Sequence, residues 1–504
     1  MKLGKSKVVL LAVMCLVGMA QAVDLKTVYR DACLNDPTFK QARADWLSRR
    51  EGLPIAASKM LPEIGFSGSV SRARSARNIE AMPASYVNVG GYSFNVSQRI
   101  FDFATMATIW ATQADVGAAY ATYLAAGQDL LQRTIRAYLN VLYAQDVLYF
   151  RQARKSSTHR LYEQARHKFK EGLIAITDLE EAKKDYDLAI AEEIGARNDL
   201  DCQLEALEEI SGVKYRRLDI LKDDVKLVLP SPRKIEAWVH LAELQNYGLK
   251  AAGYQTLVAK QSIKKAAAGH MPTVSASGGY SYRNSTTNMA INERTKGLEG
   301  GLSLDMPVFS GGGVTAAVNQ AHYLYQKAVA EQDYTYKKVV SDTRQAYLGI
   351  VSYASKVQAD LQAIVSGRSA LQATYASYTV GSRTMADVLT AQSQLYETQT
   401  QCARDRYQYI LEWITLKQQV GALGNEDLER INGWLTSHSR KNADLLSAED
   451  LFGADEVQAA VTANSLERNS GVGSTDAATG TTTTAVNPQN AGGAAQISGG
   501  NNNN

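Results

Sequence analysis

The chain reads as a mixed α and β protein. Long helices build a coiled-coil tunnel wall, and short strands contribute to a transmembrane β-barrel shared between protomers, four strands per chain. Three observations predict this. The sequence is written twice, about 209 residues apart. Two long stretches contain no proline and have helix composition. Between them lie short segments that alternate apolar and polar residues.

The duplication is visible residue by residue. Ala137-Tyr138-Leu139 recurs as Ala346-Tyr347-Leu348. Gly172, Asp178 and Ala182 recur as Gly381, Asp387 and Ala391. Met60-Leu61-Pro62 returns as His270-Met271-Pro272, and Ile100-Phe101 as Val308-Phe309. A constant offset across strand-like and helix-like stretches is a duplicated structural unit, so function belongs to a pseudo-symmetric assembly.

The chain is expected to open with a secretory signal over 1–22. Lys2, Lys5 and Lys7 precede an apolar stretch too short to span a bilayer, and Ala20-Gln21-Ala22 is a small-residue cleavage site. A lipoprotein signal using Cys15 is the weaker reading, because Ala12-Val13-Met14 is a poor approach to a lipidated cysteine. Removing three lysines takes the net charge from +3 to about zero, which leaves no electrostatic case for nucleic acid. Cys33, Cys202 and Cys402 are too few and too odd for a disulfide framework, and a single pairing among them stays open.

Each repeat then follows in order. The segments 25–60 and 234–269 are amphipathic and helical. Ile64, Phe66 and Val70 alternate with Ser67, Ser69 and Ser71, and Tyr92, Phe94 and Val96 with Ser93, Asn95 and Ser97. In the copy, Val274, Ala276, Tyr280 and Tyr282 alternate with serines, as do Leu302, Leu304, Met306 and Val308 with Ser303 and Asp305. This is the transmembrane β-strand pattern; two soluble hairpins would share it, and the export signal and aromatic apolar face favour membrane. The polar linkers 73–90 and 283–296 read as surface loops.

Proline is absent from 84–229 and from 308–486, as interior helix requires. Leu131, Ile135, Tyr138 and Leu142 keep helical spacing, and so do Val339, Thr343, Tyr347 and Ile350. Helices over about 102–171 and 312–379 would each be roughly 100 Å long at 1.5 Å per residue. Each ends at a glycine, Gly172 or Gly381, and a return helix runs to about Gly212 or Gly421. Thr177 and Asp178 are the expected N-terminal caps of the first return helix. The tail after Phe452 has no aromatic residue and cannot bury a core, so disorder is expected.

Four strands cannot close a barrel, and open edges in lipid are too costly, so the protein is expected to be an obligate oligomer. No enzyme site is present: metalloprotease, nucleophile-elbow and paired-cysteine motifs are missing. Gly311-Gly312-Gly313 lacks the Lys-Ser/Thr of a phosphate loop, and the six histidines are scattered. No cofactor and no metal is expected.

The residues now resemble the TolC family of bacterial outer-membrane channel tunnels, over about 25–434. Gly172-Leu173-Ile174-Ala175-Ile176-Thr177-Asp178, Val380-Gly381-Ser382-Arg383-Thr384, Asp387-Val388-Leu389 with Ala391, and Pro307-Val308-Phe309 carry the resemblance, with Arg404-Asp405-Arg406-Tyr407 as the return-helix signature. It implies a homotrimer with a shared barrel of about twelve strands in outer-membrane lipid and a periplasmic helical tunnel. It implies docking to a periplasmic adaptor (membrane fusion) protein and an inner-membrane transporter of ABC, RND or MFS type. The implied role is the exit duct of tripartite efflux pumps or type I protein secretion. On this plan 1–22 is the signal peptide. The first repeat comprises helix 23–61, strand pair 62–101 and tunnel helices 102–212, followed by an equatorial linker, 213–233. The second comprises 234–271, 272–309 and 310–421. An equatorial segment, 422–452, and the tail, 453–504, close the chain.

The resemblance also implies a gate at the glycine turns Gly172 and Gly381. Arg383 matches the latch arginine with Thr177 and Asp178 as partners, and Tyr378 the latch tyrosine, also reaching Asp178. A few charge-assisted hydrogen bonds, about 1.5–3 kcal/mol each, can hold a bistable tip without locking it. Asp387 matches the first aspartate of the family's aperture ring, whereas the second position is Thr390. Three carboxylates near an axis still bind cations, but with half the charge, so block by multivalent cations is expected to be weaker. Asp178 and Glu181 form a further acidic pair whose facing the sequence leaves open. The competing reading is a periplasmic coiled-coil adaptor or scaffold without a pore. That would need an inner-membrane anchor and a lipoyl-like β-domain, and neither is seen. A surface adhesin would need long exposed repeats.

Overall fold

The computed structural model describes residues 22–75, 85–222, 225, 227–287 and 292–437. The expected signal and tail lie outside these residues, as do the tips of the two strand linkers.

Helices α1 (Leu25–Asn35) and α2 (Pro37–Ser58) lead to strands β1 (Glu63–Ser75) and β2 (Ser85–Phe101). Helix α3 (Phe103–Lys170) and the return helix α4 (Ile176–Ser211) follow. The second repeat runs α5 (Ile235–Gln245), α6 (Tyr247–Ala267), β4 (Thr273–Thr287), β5 (Asn292–Asp305), α7 (Gly313–Thr379) and α8 (Met385–Val420). A two-residue strand between the repeats, β3 (Ile220–Leu221), pairs with β6 (Leu435–Thr436), which follows α9 (Asn425–Gly433).

Local signals set these boundaries. Asp102 accepts the Thr105 N–H at 3.1 Å and starts α3, whose 68 residues span about 100 Å. The segments 25–60 and 234–269 are not single helices, as their composition suggested. Each is broken once, at Asp36 and at Asn246, with matching backbone angles (φ −56°, ψ 120° and φ −57°, ψ 123°). The break occurs because each side chain caps the next helix: Asp36 accepts the Phe39 N–H at 2.6 Å and Asn246 the Leu249 N–H at 2.9 Å. Pro37 at the first helical position reinforces the first break.

The four long strands form one antiparallel sheet in the order β1-β2-β4-β5. They run 13 to 17 residues, so the described residues of the linkers 73–90 and 283–296 are strand rather than loop. Backbone pairing continues past the point where the alternation lapses: Arg74 still pairs with Tyr86, and Asn284 with Arg294. Met306 and Val308 fall beyond β5. The register gathers the apolar residues on one face. Phe66 lies opposite Phe94, which lies opposite Tyr280, which lies opposite Leu298. The other face carries Ser67–Ser93 and Ser275–Ser303 hydroxyl pairs at 2.8 and 2.7 Å. The apolar face is bare: Phe66, Leu298 and Leu302 are 65 %, 85 % and 75 % exposed. At the β2–β4 seam, where the repeats meet, a side chain at Gly91 would strike the Tyr282 carbonyl.

The helices nearest the strands keep the strand order. α2 packs on the strand-proximal part of α3 (Phe39 and Trp46 against Tyr123, Arg49 to Asp115 at 3.0 Å). α3 packs on α6, and α6 on α7. The far halves form two coiled-coil hairpins, α3 with α4 and α7 with α8, and α3 also packs on α8. The main core lies where the repeats converge: Leu25, Ile135, Tyr138 and Leu142 with Ile350, Ile410 and Ile414. The repeated tyrosines do equivalent work there. Tyr138 donates to the Val23 and Asp219 carbonyls, and Tyr347 to the Arg233 carbonyl. No helix among the described residues is long and apolar enough to cross a membrane.

Candidate gate at the helical tip

Both hairpins end in five-residue turns, Glu171 to Ala175 and Val380 to Thr384. The two turns begin alike. Gly172 and Gly381 take the left-handed conformation (φ +74° and +80°). The Leu173 N–H then reaches the Lys168 carbonyl at 2.9 Å, and the Ser382 N–H the Ser377 carbonyl at 3.0 Å. This is the Schellman arrangement, which a side chain would strain at the glycine.

The turns end differently. Thr384 caps α8 in a capping box: its Oγ accepts the Asp387 N–H at 3.2 Å, and Asp387 Oδ2 accepts the Thr384 N–H at 3.0 Å. The cap of α4 is Ala175, with no side-chain bond. Thr177 and Asp178 are therefore not caps but the second and third helical residues. Ala175 is extended (φ −73°, ψ 156°), and Asp178 lies in the first turn, near the positive helix end.

The structure brings part of the expected latch together. Arg383, in the turn just before the Thr384 cap, stands on the surface 3.8 Å from Asp387 in the first turn of α8, and Thr177 is exposed. Hydrogen bonds from the Thr384 backbone and hydroxyl hold the Asp387 carboxyl below the usual range, with a smaller contribution from Arg383. Tyr378 is buried, and its hydroxyl has no hydrogen-bond partner among the described residues. Burial, and then the charge of Asp178, push its phenol up. Asp178 is thus near Tyr378 without bonding to it. Lys168 places its ammonium 4.9 Å from the Tyr378 ring centre. Tyr375 ties α7 to α3 through a 3.2 Å bond to Gln164.

Thr390 is exposed and lines a groove between α4 and α8 of about 380 Å³, together with Glu181, Asp185 and Glu397. Lys184 lines the same groove, and Asp185 is paired with Arg154 at 3.0 Å. Sequence reasoning missed a small hydrophobic cluster at the tip: Ala165 and Ala182 with Tyr378, Met385, Val388 and Leu389. The spacing of Met385, Val388 and Leu389 was its only signal. Among the described residues no group of His, Cys, Asp or Glu could hold a metal ion.

The family model for outer membrane efflux proteins matches residues 28–213 and 238–422, one match per repeat. The chain belongs to the outer membrane efflux protein family. Its place is the cell outer membrane, with the helical tunnel on the periplasmic side. It is 32 % identical over 417 residues to the outer membrane protein TolC of Vibrio cholerae serotype O1, covering 82 % of this chain and 94 % of the relative. It is 26 % identical to the alkaline protease secretion protein AprF of Pseudomonas aeruginosa, covering 82 % and 87 %. A solved structure of CusC matches with a TM-score of 0.70 at 18 % identity, covering 79 % of this chain and 92 % of that one.

Proposed function

We propose that three copies assemble into one channel-tunnel, the exit duct of a tripartite efflux pump or a type I protein secretion system. The sheet carries this reading. It has a bare apolar face, and among the described residues its outer strands β1 and β5 each keep one edge unpaired. In lipid those edges must be paired, and pairing β1 of one copy with β5 of the next closes a barrel. Three copies of four strands give twelve, within the size range of such barrels. The helices sit side by side in the strand order, so the same rotation that closes the barrel closes a tube beneath it.

The tube docks a periplasmic adaptor and an inner-membrane transporter of ABC, RND or MFS type. The likeness to a protease secretion protein supports a secretion role beside efflux. At the tip, Arg383 projects 61 % exposed, which leaves it able to reach Thr177 or Asp178 of an adjacent copy in the closed trimer. The Asp387 carboxylates, held ionised by their capping bonds, ring the aperture and select cations. The test is planar-bilayer conductance of the purified protein together with its Arg383→Ser variant. Small, brief openings in the wild type and larger, longer ones in the variant are expected. Insertion without any difference between the two would overturn the latch, and a monomer that never conducts would overturn the duct.

A further inference from the structure

The four-stranded sheet sorts its charges by face. Successive side chains along a strand point to opposite faces. On β1, Arg72 and Arg74 therefore share the apolar face with Phe66. On β5, Arg294 and Lys296 share it with Leu298. All four are exposed. The carboxylates of the same strands, Glu63, Glu293, Glu299 and Asp305, all fall on the opposite face with the serine pairs. Among the described residues, then, the apolar face of the sheet carries cations and no Asp or Glu. The cations gather at the strand ends far from the helices. α2 leads into β1 at Glu63 and α3 leaves β2 after Phe101, whereas Arg74 is next to the last residue of β1 and Arg294 stands just inside the start of β5. With the helices on the periplasmic side, that end is the outer edge of the membrane. Tyr92 and Tyr282 stack at 5.2 Å on the same face, and Lys296 pairs with Tyr282 across the ladder. Rings at that height form the girdle of a membrane interface, and cations beside it lie at headgroup level. Tyr86 steadies the two guanidinium groups of β1, whose centres lie 5.0 Å (Arg72) and 5.8 Å (Arg74) from its ring.

We infer that Arg72 and Arg74 of one copy, with Arg294 and Lys296 of the next, bind the phosphorylated headgroup of an outer-leaflet lipid at the seam between copies. The inference rests on the barrel reading above, because β1 and β5 are opposite edges of the sheet within one chain and become neighbours only on closure. Paired strands lie about 5 Å apart, and long side chains reach diagonal as well as directly opposed positions, so the two pairs of cations converge. Guanidinium forks suit phosphate oxygens, which they bind two at a time. The apolar band beneath supplies the second half of the site: it holds acyl chains against the same surface, which brings the headgroup to the cations already anchored. That continuity selects a lipid over a free phosphate ion. The sheet carboxylates, turned to the other face, do not repel it.

The experiment is native mass spectrometry of the purified full-length protein in detergent, titrated with bisphosphorylated lipid A. Two double variants are compared with the wild type: Arg72→Gln with Arg74→Gln, and Arg294→Gln with Lys296→Gln. Arg283→Gln, on the opposite face of β4, is the control. Wild type and control should bind the lipid equally, and each double variant about tenfold or more weakly. Inorganic phosphate should fail to displace the lipid, and lipid A stripped of its phosphates should bind the wild type as weakly as the intact lipid binds the double variants. If a double variant fails to assemble, Arg74→Gln and Arg294→Gln are read singly, each with about a fivefold loss. Equal binding by wild type and both double variants would overturn the inference. A loss confined to one of them would overturn the shared seam site, and displacement by inorganic phosphate would overturn the lipid as its occupant. Assembly is read in the same spectra: a chain that stays monomeric overturns the shared barrel and the seam site with it, whereas an assembled protein indifferent to these substitutions overturns the site alone.

Discussion

The two tip turns offer a reciprocal test, because α8 is capped and α4 is not. Thr384→Ala removes the hydroxyl that accepts the Asp387 N–H at 3.2 Å and donates to its carboxylate at 3.0 Å. Losing an N-cap hydroxyl costs about 1 kcal/mol, with a range of roughly 0.5–2. At room temperature 1 kcal/mol is about a fivefold change in the local opening equilibrium. Ala175 already has the extended backbone a cap needs (φ −73°, ψ 156°), so Ala175→Ser should gain a comparable amount. Hydrogen–deuterium exchange reads both changes. Peptides covering 384–395 should exchange about fivefold faster in Thr384→Ala, while those covering 175–186 stay unchanged. Ala175→Ser should slow 175–186 and leave 384–395 alone. Unchanged exchange at 384–395 in Thr384→Ala would refute the capping account.

Other perturbations follow from the same geometry. Gly381→Ala meets open space and should cost only the left-handed backbone strain, about 1–2 kcal/mol, whereas Gly421→Ala also puts a carbon 2.5 Å from the Gln245 carbonyl; thermal unfolding should show the larger loss at Gly421. Burial, and then the Asp405 carboxylate beside it, raise Asp360 to about 6. The folded protein therefore holds a proton that the unfolded chain has already released, and stability falls as pH rises from about 4 through 6. Asp405→Asn should flatten that dependence and raise the melting temperature at pH 7.5 but not at pH 4.5. Block by trivalent cations in bilayers should disappear in Asp387→Asn and strengthen in Thr390→Asp; equal block in all three proteins would remove Asp387 from the aperture.

The long helices were the most legible part of the chain. Residues 102–171 and 312–379 read from sequence differ from Phe103–Lys170 and Gly313–Thr379 by a residue or two, because proline exclusion and glycine stops act locally. The breaks at Asp36 and Asn246 were less legible. Each adds only one extended residue, and the helical composition continues on both sides. The strands were underestimated because ladder pairing depends on the backbone, not on alternation, once a register is set. The tip glycines stood out in sequence; the Thr384–Asp387 capping box did not, and the cap was expected in the other repeat, at Thr177 and Asp178. Nor did the Ala165–Met385 cluster, since it joins residues more than two hundred positions apart. Small alanines reveal nothing until their partners are placed.

The central claim is that copies of this chain close a pore with a gated tip. The most direct measurement is conductance of purified protein in planar bilayers, wild type beside Arg383→Ser. Discrete channel openings that grow in size or duration in the variant are the expected result. Protein that assembles and binds lipid but conducts in neither form would contradict the claim.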